Sequence, residues 1–286
     1  IIKEAHQKQL NYKIANIDDK NEIDNIIKYF KPNIVFNTAA LKHVNFLEEN
    51  PNQGLKINYR GTKNVIGACN KYNVKIFIHV STDKAANPIN TLGISKFLSE
   101  ISCHNEFKKN KTKIGIVRFG NVFDSYGSVS ETFKNNILNS KKIKISNPNA
   151  ERYFMSKDEA ANFLIYIFKI LYFENEIHHV RTFIYNMGEP IKIIDLAKKI
   201  IFLSGRPYEK FLSKKYYGLK NIEKVSESLL NNHEIILRHY NKLIIEISSR
   251  KKFIKIINFK KIDKIIDKNN NSESTALIKR LKKIFN

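Results

Sequence analysis

A chain of 286 residues, 42% of them hydrophobic and 11% aromatic, holds enough apolar material for a full buried core, as one large domain or one and a half. Two cysteines, Cys69 and Cys103, far apart and without a second pair, exclude a disulfide framework and a zinc site and suit a reducing cytoplasm. The formal net charge of +23 raises a nucleic-acid or anionic-membrane partner, but Lys, Ile and Asn are inflated together, the lysines are scattered and no nucleic-acid motif accompanies them, so compositional drift is the better account.

The polar start, Ile1 to Gln9, has neither an initiator methionine nor a signal peptide, and the chain is expected to be cut at its front. Ile34-Val35-Phe36, after Lys31-Pro32, reads as a buried strand. Ile57 to Tyr72 has helical spacing, Val74 to Val80 is strand-like, Ile94 to Phe107 reads as a helix and Lys113 to Phe119 as a strand. Strands separated by helices imply βαβ units, a parallel sheet of Rossmann-type order and ligands at the strands' C-terminal ends. Beyond Asn121 the pattern loosens. Asp158 to Tyr172 is an apolar helix, Phe183 to Met187 a short strand, and Ile193 to Leu203 a helix ending at Gly205. The longest apolar stretch, Phe163 to Phe173, is interrupted by Lys169 and falls short of the ~20 residues that span a bilayer. Past Asn231 come Lys-rich segments expected to be helical, then a polar break at Asn269 to Ser274. The final stretch, Thr275 to Phe285, spaces Leu277, Leu281 and Phe285 as an amphipathic helix.

Chemistry is concentrated after the second strand. Ser81-Thr82-Asp83-Lys84 puts a hydroxyl, a carboxylate and an amine at a strand's C-terminal end, where they can move protons on a substrate in the crevice. The plain alternative is a polar turn. Lys96 follows at the front of the next helix, on the same face as Leu92, and can lean over that crevice.

Together with these, Asn37-Thr38-Ala39-Ala40-Leu41-Lys42-His43-Val44, Glu48-Glu49-Asn50-Pro51, Asn58, Gly61-Thr62, Asn64, Asn87-Pro88, Gly93 and Ser95-Lys96 resemble one block of the extended short-chain dehydrogenases. Arg118-Phe119-Gly120-Asn121-Val122, Gly127-Ser128-Val129, Arg152-Tyr153-Phe154-Met155 and Met187-Gly188-Glu189-Pro190 extend the likeness to the CapD-like polysaccharide-biosynthesis branch, which includes UDP-N-acetylglucosamine 4,6-dehydratases. The match covers roughly residues 10 to 230.

The resemblance implies an α/β fold, a Rossmann-type doubly wound parallel sheet lacking its first βα unit, with a smaller C-terminal substrate lobe. It implies NAD or NADP as cofactor, a UDP-sugar as substrate, a homo-oligomer, and no specific nucleic acid. Residues 1–120 are expected to form the incomplete cofactor domain, 121–230 mainly the nucleotide-sugar lobe with some interleaving, and 231–286 a Lys-rich helical extension. Lys84 resembles the base at C5, Asp83 the acid for the C6 hydroxyl, Thr82 the donor to O4 and Lys96 the holder of the nicotinamide ribose. A lysine serves as base only where burial or a neighbouring cation favours the amine. Asn16, Ile17, Ala39, Ala40, Lys42 and Asn58 resemble cofactor contacts. Lys42, Asn121, Arg152, Lys220 and Glu223 resemble substrate contacts, the cations pairing with the diphosphate. No metal is implied.

The chain also departs from that family. No glycine precedes Gly54, so it holds no glycine-rich pyrophosphate loop. Asn16 stands where the family has the aspartate that contacts adenine, and Leu92 stands at the tyrosine of YxxxK, as methionine does in long membrane-anchored members. Tyr126 replaces an arginine, and Lys220-Asn221-Ile222-Glu223-Lys224 replaces Arg-Pro-Gly-Glu-Lys. Two rivals stay open. A UDP-sugar 4-epimerase shares the C4 oxidation but needs no Asp-Lys pair, and a catalytically silent remnant or interaction protein would account for the missing loop.

Overall fold

The computed structural model describes residues 11–108, 111–175, 178–248 and 257–283. Helix α1 (Lys20–Phe30) begins at Asp19, whose carboxylate accepts from the Asn21 and Glu22 amides, and it buries Ile23 and Ile27. Strand β1 (Ile34–Asn37), helices α2 (Val44–Glu49) and α3 (Pro51–Gly54), a π-helical stretch Leu55–Gly61 and α4 (Thr62–Lys71) follow. Then come β2 (Ile76–Thr82), a 3-10 turn at Asp83–Ala85, α5 (Thr91–Glu106) and β3 (Lys113–Phe119).

The second half starts with β4 (Asn121–Val122), α6 (Val129–Leu138), β5 (Ile143–Ile145), β6 (Glu151–Arg152), β7 (Phe154–Met155) and α7 (Lys157–Phe173). It continues through β8 (Arg181–Tyr185), β9 (Ile191–Lys192), α8 (Ile193–Leu203), α9 (Tyr208–Phe211) and β10 (Leu212–Tyr216). Strands β11 (Ile236–His239) and β12 (Ile244–Ile247) and helices α10 (Phe259–Asp267) and α11 (Asn271–Lys282) end it.

The main sheet has six strands in the order β1-β2-β3-β8-β12-β11. The first four run parallel, while β12 is antiparallel to β8 and β11 to β12. Alternation along β2 sends Phe77 to one face and Ile76 and Ile78 to the other. On the first face Phe77, Ile114 and Ile116 pack with Ile23 and Ile27 of α1, Val65, Ile66 and Cys69 of α4, and Cys103 of α5. On the second, Ile78, Val117 and Phe183 meet Phe163, Ile167 and Leu171 of α7. Each such side chain, fully buried, contributes roughly 1.5–3 kcal/mol. Both faces of a parallel sheet are thus covered, as the alternation of strands and helices predicts. Among the described residues no strand pairs with the outer edge of β1, where Phe36 is exposed.

A separate apolar cluster sets Phe133 and Ile137 of α6 against Ile143, Ile145, Ala197, Ile201, Phe211 and Leu212. The stretch beyond residue 231 departs from expectation. Helices α10 and α11 are present, but residues 236–239 and 244–247 are strands, and β12 adds to the main sheet. Two facts decide it: β8 offers a free edge, and Glu246, mid-strand, meets Arg181 of β8 with bonds of 2.7 and 2.6 Å. Helices α10 and α11 lay Ile262, Ile266, Ile278 and Leu281 on Tyr59, Ile94, Phe97 and Ile101 of the π-helical stretch and α5. The expected contact at Phe285 lies outside the described residues. Among the described residues no helix is long and apolar enough to cross a membrane.

Candidate active site

The site is built where β2 ends. Thr82 caps the 3-10 turn that follows, its Oγ1 accepting from the Lys84 amide at 3.4 Å. The next helix, α5, is held at its start from two sides: Asn90 Oδ1 accepts from Gly93 N at 2.8 Å, and Glu48 Oε1 from Thr91 N at 2.5 Å. Gly93 is required here, because a β-carbon would run into the Lys84 carbonyl. The close approach of helix and turn fixes the backbone that carries Asp83 and Lys84.

Asp83 is fully buried. Its Oδ1 accepts from Lys84 Nζ at 2.9 Å and from Thr82 Oγ1 at 2.8 Å, while Oδ2 has no partner. Lys84 Nζ also reaches Asn121 Oδ1 at 3.5 Å, and Asn121 Nδ2 donates to Tyr153 O. Thr82, Asp83, Lys84 and Asn121 therefore stand together, but the Thr82 hydroxyl proton goes to Asp83 and not toward open space.

Lys96 is 4% exposed, its Nζ donating to Val80 O at 2.6 Å and lying 3.3 Å from His79 Nε2. Burial pushes its ammonium down to about 8. His79, wholly buried in β2, takes Asn37 Nδ2 at Nδ1, and its Nε2 lies 2.8 Å from Ser99 Oγ. Ser99 donates its own proton to Lys96 O, so the imidazole proton sits on Nε2. Burial first, and the Lys96 charge second, hold this histidine well below its ordinary value, hence neutral.

In front of the turn lies a cavity of about 280 Å³, lined by Lys84, Arg152, Glu223 and Glu227 together with His43, Asn45, Phe46 and Asn90. Gly127, at a φ of +68°, leaves room for the His43 ring, which a β-carbon would strike. Arg152 Nη1 donates to the carbonyls of Glu151 and Val225, and Lys220 Nζ donates to Asn45 Oδ1 at 3.3 Å. Lys42 reaches Ser125 Oγ at 3.3 Å.

Other expected contacts sit apart. Asn58 is fully buried in the π-helical stretch, and all its bonds are internal: Oδ1 accepts from Leu41 N, and Nδ2 donates to Leu41 O and Ser95 Oγ. It therefore shapes the exposed segment holding Ala39, Ala40 and Lys42. Asn16 and Ile17 bond to α1 and α4, through Glu22 and Asn64, with the Ile17 side chain filling the space over Gly61. Leu92 is buried, and Tyr126 is exposed. Sequence reasoning missed Glu227, Asn90 and His79. Of these only His79 left a signal, as a polar residue within an apolar strand.

Four parallel strands covered on both faces, with an Asp-Lys pair at a strand's C-terminal end over a cleft lined by charges of both signs, define an α/β protein of the nucleotide-binding kind. The chain matches the family described as polysaccharide biosynthesis protein over residues 1–249, and it belongs to that family. It is 37% identical over 222 residues to the probable polysaccharide biosynthesis protein EpsC of Bacillus subtilis, covering 78% of this chain and 36% of that protein. It thus spans about a third of that relative's length. It is 30% identical over 249 residues to a UDP-N-acetylglucosamine 4,6-dehydratase (inverting) of Campylobacter jejuni, covering 86% of this chain and 70% of that one. Among solved structures it resembles Pen from Bacillus thuringiensis, with a TM-score of 0.73, 29% identity, and coverage of 85% of this chain and 73% of that one.

One half of a dinucleotide fits the residues present. An ammonium has three protons, and Lys96 engages the Val80 carbonyl while facing an imidazole whose proton is already on Nε2, so a proton is left for a ribose hydroxyl. The described residues offer no glycine-rich turn for the pyrophosphate half, and no strand beyond β1 on which to build one.

Proposed function

We propose that this chain carries the sugar-transforming part of a nucleotide-sugar 4,6-dehydratase acting on UDP-N-acetylglucosamine in surface-polysaccharide synthesis. The observation that carries the reading is the part-buried Asp83–Lys84 contact of 2.9 Å beside the cavity that Lys84, Arg152, Glu223 and Glu227 line. Elimination across C5 and C6 needs an acid and a base side by side; epimerisation at C4 does not. A nicotinamide held by Lys96 supplies the oxidation at C4 and the reduction at C6. Once C4 is a ketone, the C5 proton is acidic.

Moving one proton along the Lys84–Asp83 hydrogen bond turns ammonium and carboxylate into amine and carboxylic acid with no net change of charge. The amine then takes the C5 proton, and the acid protonates the departing C6 hydroxyl. Water leaves, and the pair ends as it began. Thr82, once its hydroxyl turns from Asp83, is the donor to O4. Arg152 and Lys220 pair with the diphosphate, Glu223 with the nucleoside, and Asn121 and Lys42 with the substrate's polar groups. Ala39, Ala40, Asn16 and Ile17 line the cofactor's path.

The test is a fusion that supplies a glycine-rich pyrophosphate segment ahead of Ile1, incubated with NAD and UDP-N-acetylglucosamine in deuterated water. The expected product is a 4-keto-6-deoxy sugar labelled at C5. Lys84→Ala should abolish both product and C5 exchange while C4 oxidation survives. Asp83→Asn should retain some exchange and slow the loss of the C6 hydroxyl. UDP-N-acetylgalactosamine without C5 label, at a rate indifferent to Lys84→Ala, would overturn the assignment in favour of an epimerase.

A further inference from the structure

Glu227 is a buried carboxylate in the wall of the cavity, 7% exposed, and its Oε2 accepts no hydrogen bond. Three cations surround it without satisfying it: Lys224 Nζ at 3.5 Å from Oε2, Arg152 Nε at 3.9 Å and Lys84 Nζ at 4.0 Å from Oε1. Each is engaged elsewhere, Lys224 with the Ala86 carbonyl, Arg152 with the carbonyls of Glu151 and Val225, and Lys84 with Asp83. The cations explain how a charge is tolerated here. They do not explain what its lone pairs bind, and a buried acceptor left empty is costly to the fold unless it has a use.

The segment that bears Glu227 is held firmly. Asn90 Nδ2 donates to Ile222 O at 3.0 Å, Arg118 Nη1 to Leu229 O at 3.2 Å, and Asn87 N to Asn231 Oδ1 at 2.6 Å. The acceptor is therefore fixed in place before any ligand arrives. A diphosphate cannot be its partner, since both are anions. Its two nearest ligand-facing neighbours, Lys84 and Arg152, are those assigned above to the sugar's C5 and to the diphosphate. The group between those points is the hexose ring.

We infer that Glu227 is the acceptor that reads the sugar, taking a hydrogen bond from a neutral donor on the hexose, a hydroxyl or an amide N–H. This rests on the nucleotide-sugar reading and adds to it a residue that selects the sugar. The test is calorimetry on the 286-residue chain with UDP, UDP-N-acetylglucosamine and UDP-glucose, comparing wild type with Glu227→Gln and Glu227→Ala.

UDP binding should stay within about twofold, which also serves as the control for an intact fold. UDP-N-acetylglucosamine should weaken about tenfold with Gln and further with Ala, the loss expected when a charged acceptor is removed. Loss confined to the acetamido sugar identifies the amide N–H as donor, and equal loss for UDP-glucose identifies a hydroxyl. A parallel change in UDP and both UDP-sugars would overturn the inference, because Glu227 would then only balance the cations around it. Wild type that binds UDP but gains nothing from the sugar would overturn it as well. Wild type that binds none of the three would overturn the nucleotide-sugar reading itself, and this inference with it.

Discussion

Glu234→Ala tests how the cavity wall is fastened to the sheet. Arg118, in β3 and 1% exposed, uses all five of its N–H groups. Nε and Nη2 donate to Glu100 at 2.9 and 2.6 Å, Nη1 and Nη2 to Glu234 at 2.6 and 2.7 Å, and Nη1 also to Leu229 O at 3.2 Å. Glu234 takes a third bond, from Asn231 N at 2.7 Å. Removing its carboxylate strips two charge-assisted bonds from a buried guanidinium and leaves one carboxylate to balance it, at a cost of about 3–5 kcal/mol and a fall in Tm of roughly 10 °C.

Urea unfolding followed by circular dichroism measures the loss directly, and it should hardly change with added salt, because the pair is shielded from solvent. Its pH dependence has a defined sign. Burial alone would raise Glu234, but the Arg118 charge and hydrogen bonds outweigh it and hold the carboxyl below its ordinary 4.5. The stabilisation is whole above that value and fades as the pH falls below it, so wild type and variant should converge in acid. A loss under about 1 kcal/mol at neutral pH, or a loss removed by salt, would refute the reasoning.

Lys96 is the second test: the folded protein sheds its proton near 8, the unfolded chain near 10.5, so stability rises with pH between them by at most about 3 kcal/mol. Lys96→Met should remove that slope from urea titrations across the window, and an unchanged slope would contradict the burial argument. Gly93→Ala should destabilise by about 1–3 kcal/mol through its clash with the Lys84 carbonyl, whereas Gly67→Ala in α4, with nothing within 4 Å of the added carbon, should stabilise by about 0.5–1 kcal/mol. Equal effects at the two glycines in thermal melts would show that the turn and helix are not in contact.

The legible parts of the sequence were those whose pattern is local. Lys113–Phe119 is a strand as read, and Ile76–Thr82 and Thr91–Glu106 lie within three residues of the expected bounds, because apolar periodicity acts at short range. Residues 236–247 were not legible, since an isoleucine-rich run suits a buried helix or a strand equally until a sheet edge is offered to it. The Asp83–Lys84 pair could be read as adjacent residues, but its hydrogen bond and the unpartnered Asp83 Oδ2 could not. Glu227 was invisible for a related reason. Its neighbours Lys84, in a turn, and Arg152, in β6, stand 143 and 75 positions earlier, and only the folded chain brings them near. Asn58 was noticed for its position, yet its work is done on the Leu41 backbone.

The packing of α10 and α11 on α5 has a consequence for the order in which the molecule can be finished. Tyr59, Ile94, Phe97 and Ile101 leave the ribosome well before the residues that cover them, from Ile257 to Leu281. The polar ties have the same separation: Asn52 bonds Asn269, Arg60 bonds Asp267, and Lys63 bonds Asp263. At translation speeds of about 5–20 residues per second, the α5 surface waits on the order of ten seconds for its cover. During that interval the nascent chain shows a greasy flank beside the Asp83–Ala85 turn, and a chaperone that shields such flanks has its longest opportunity there.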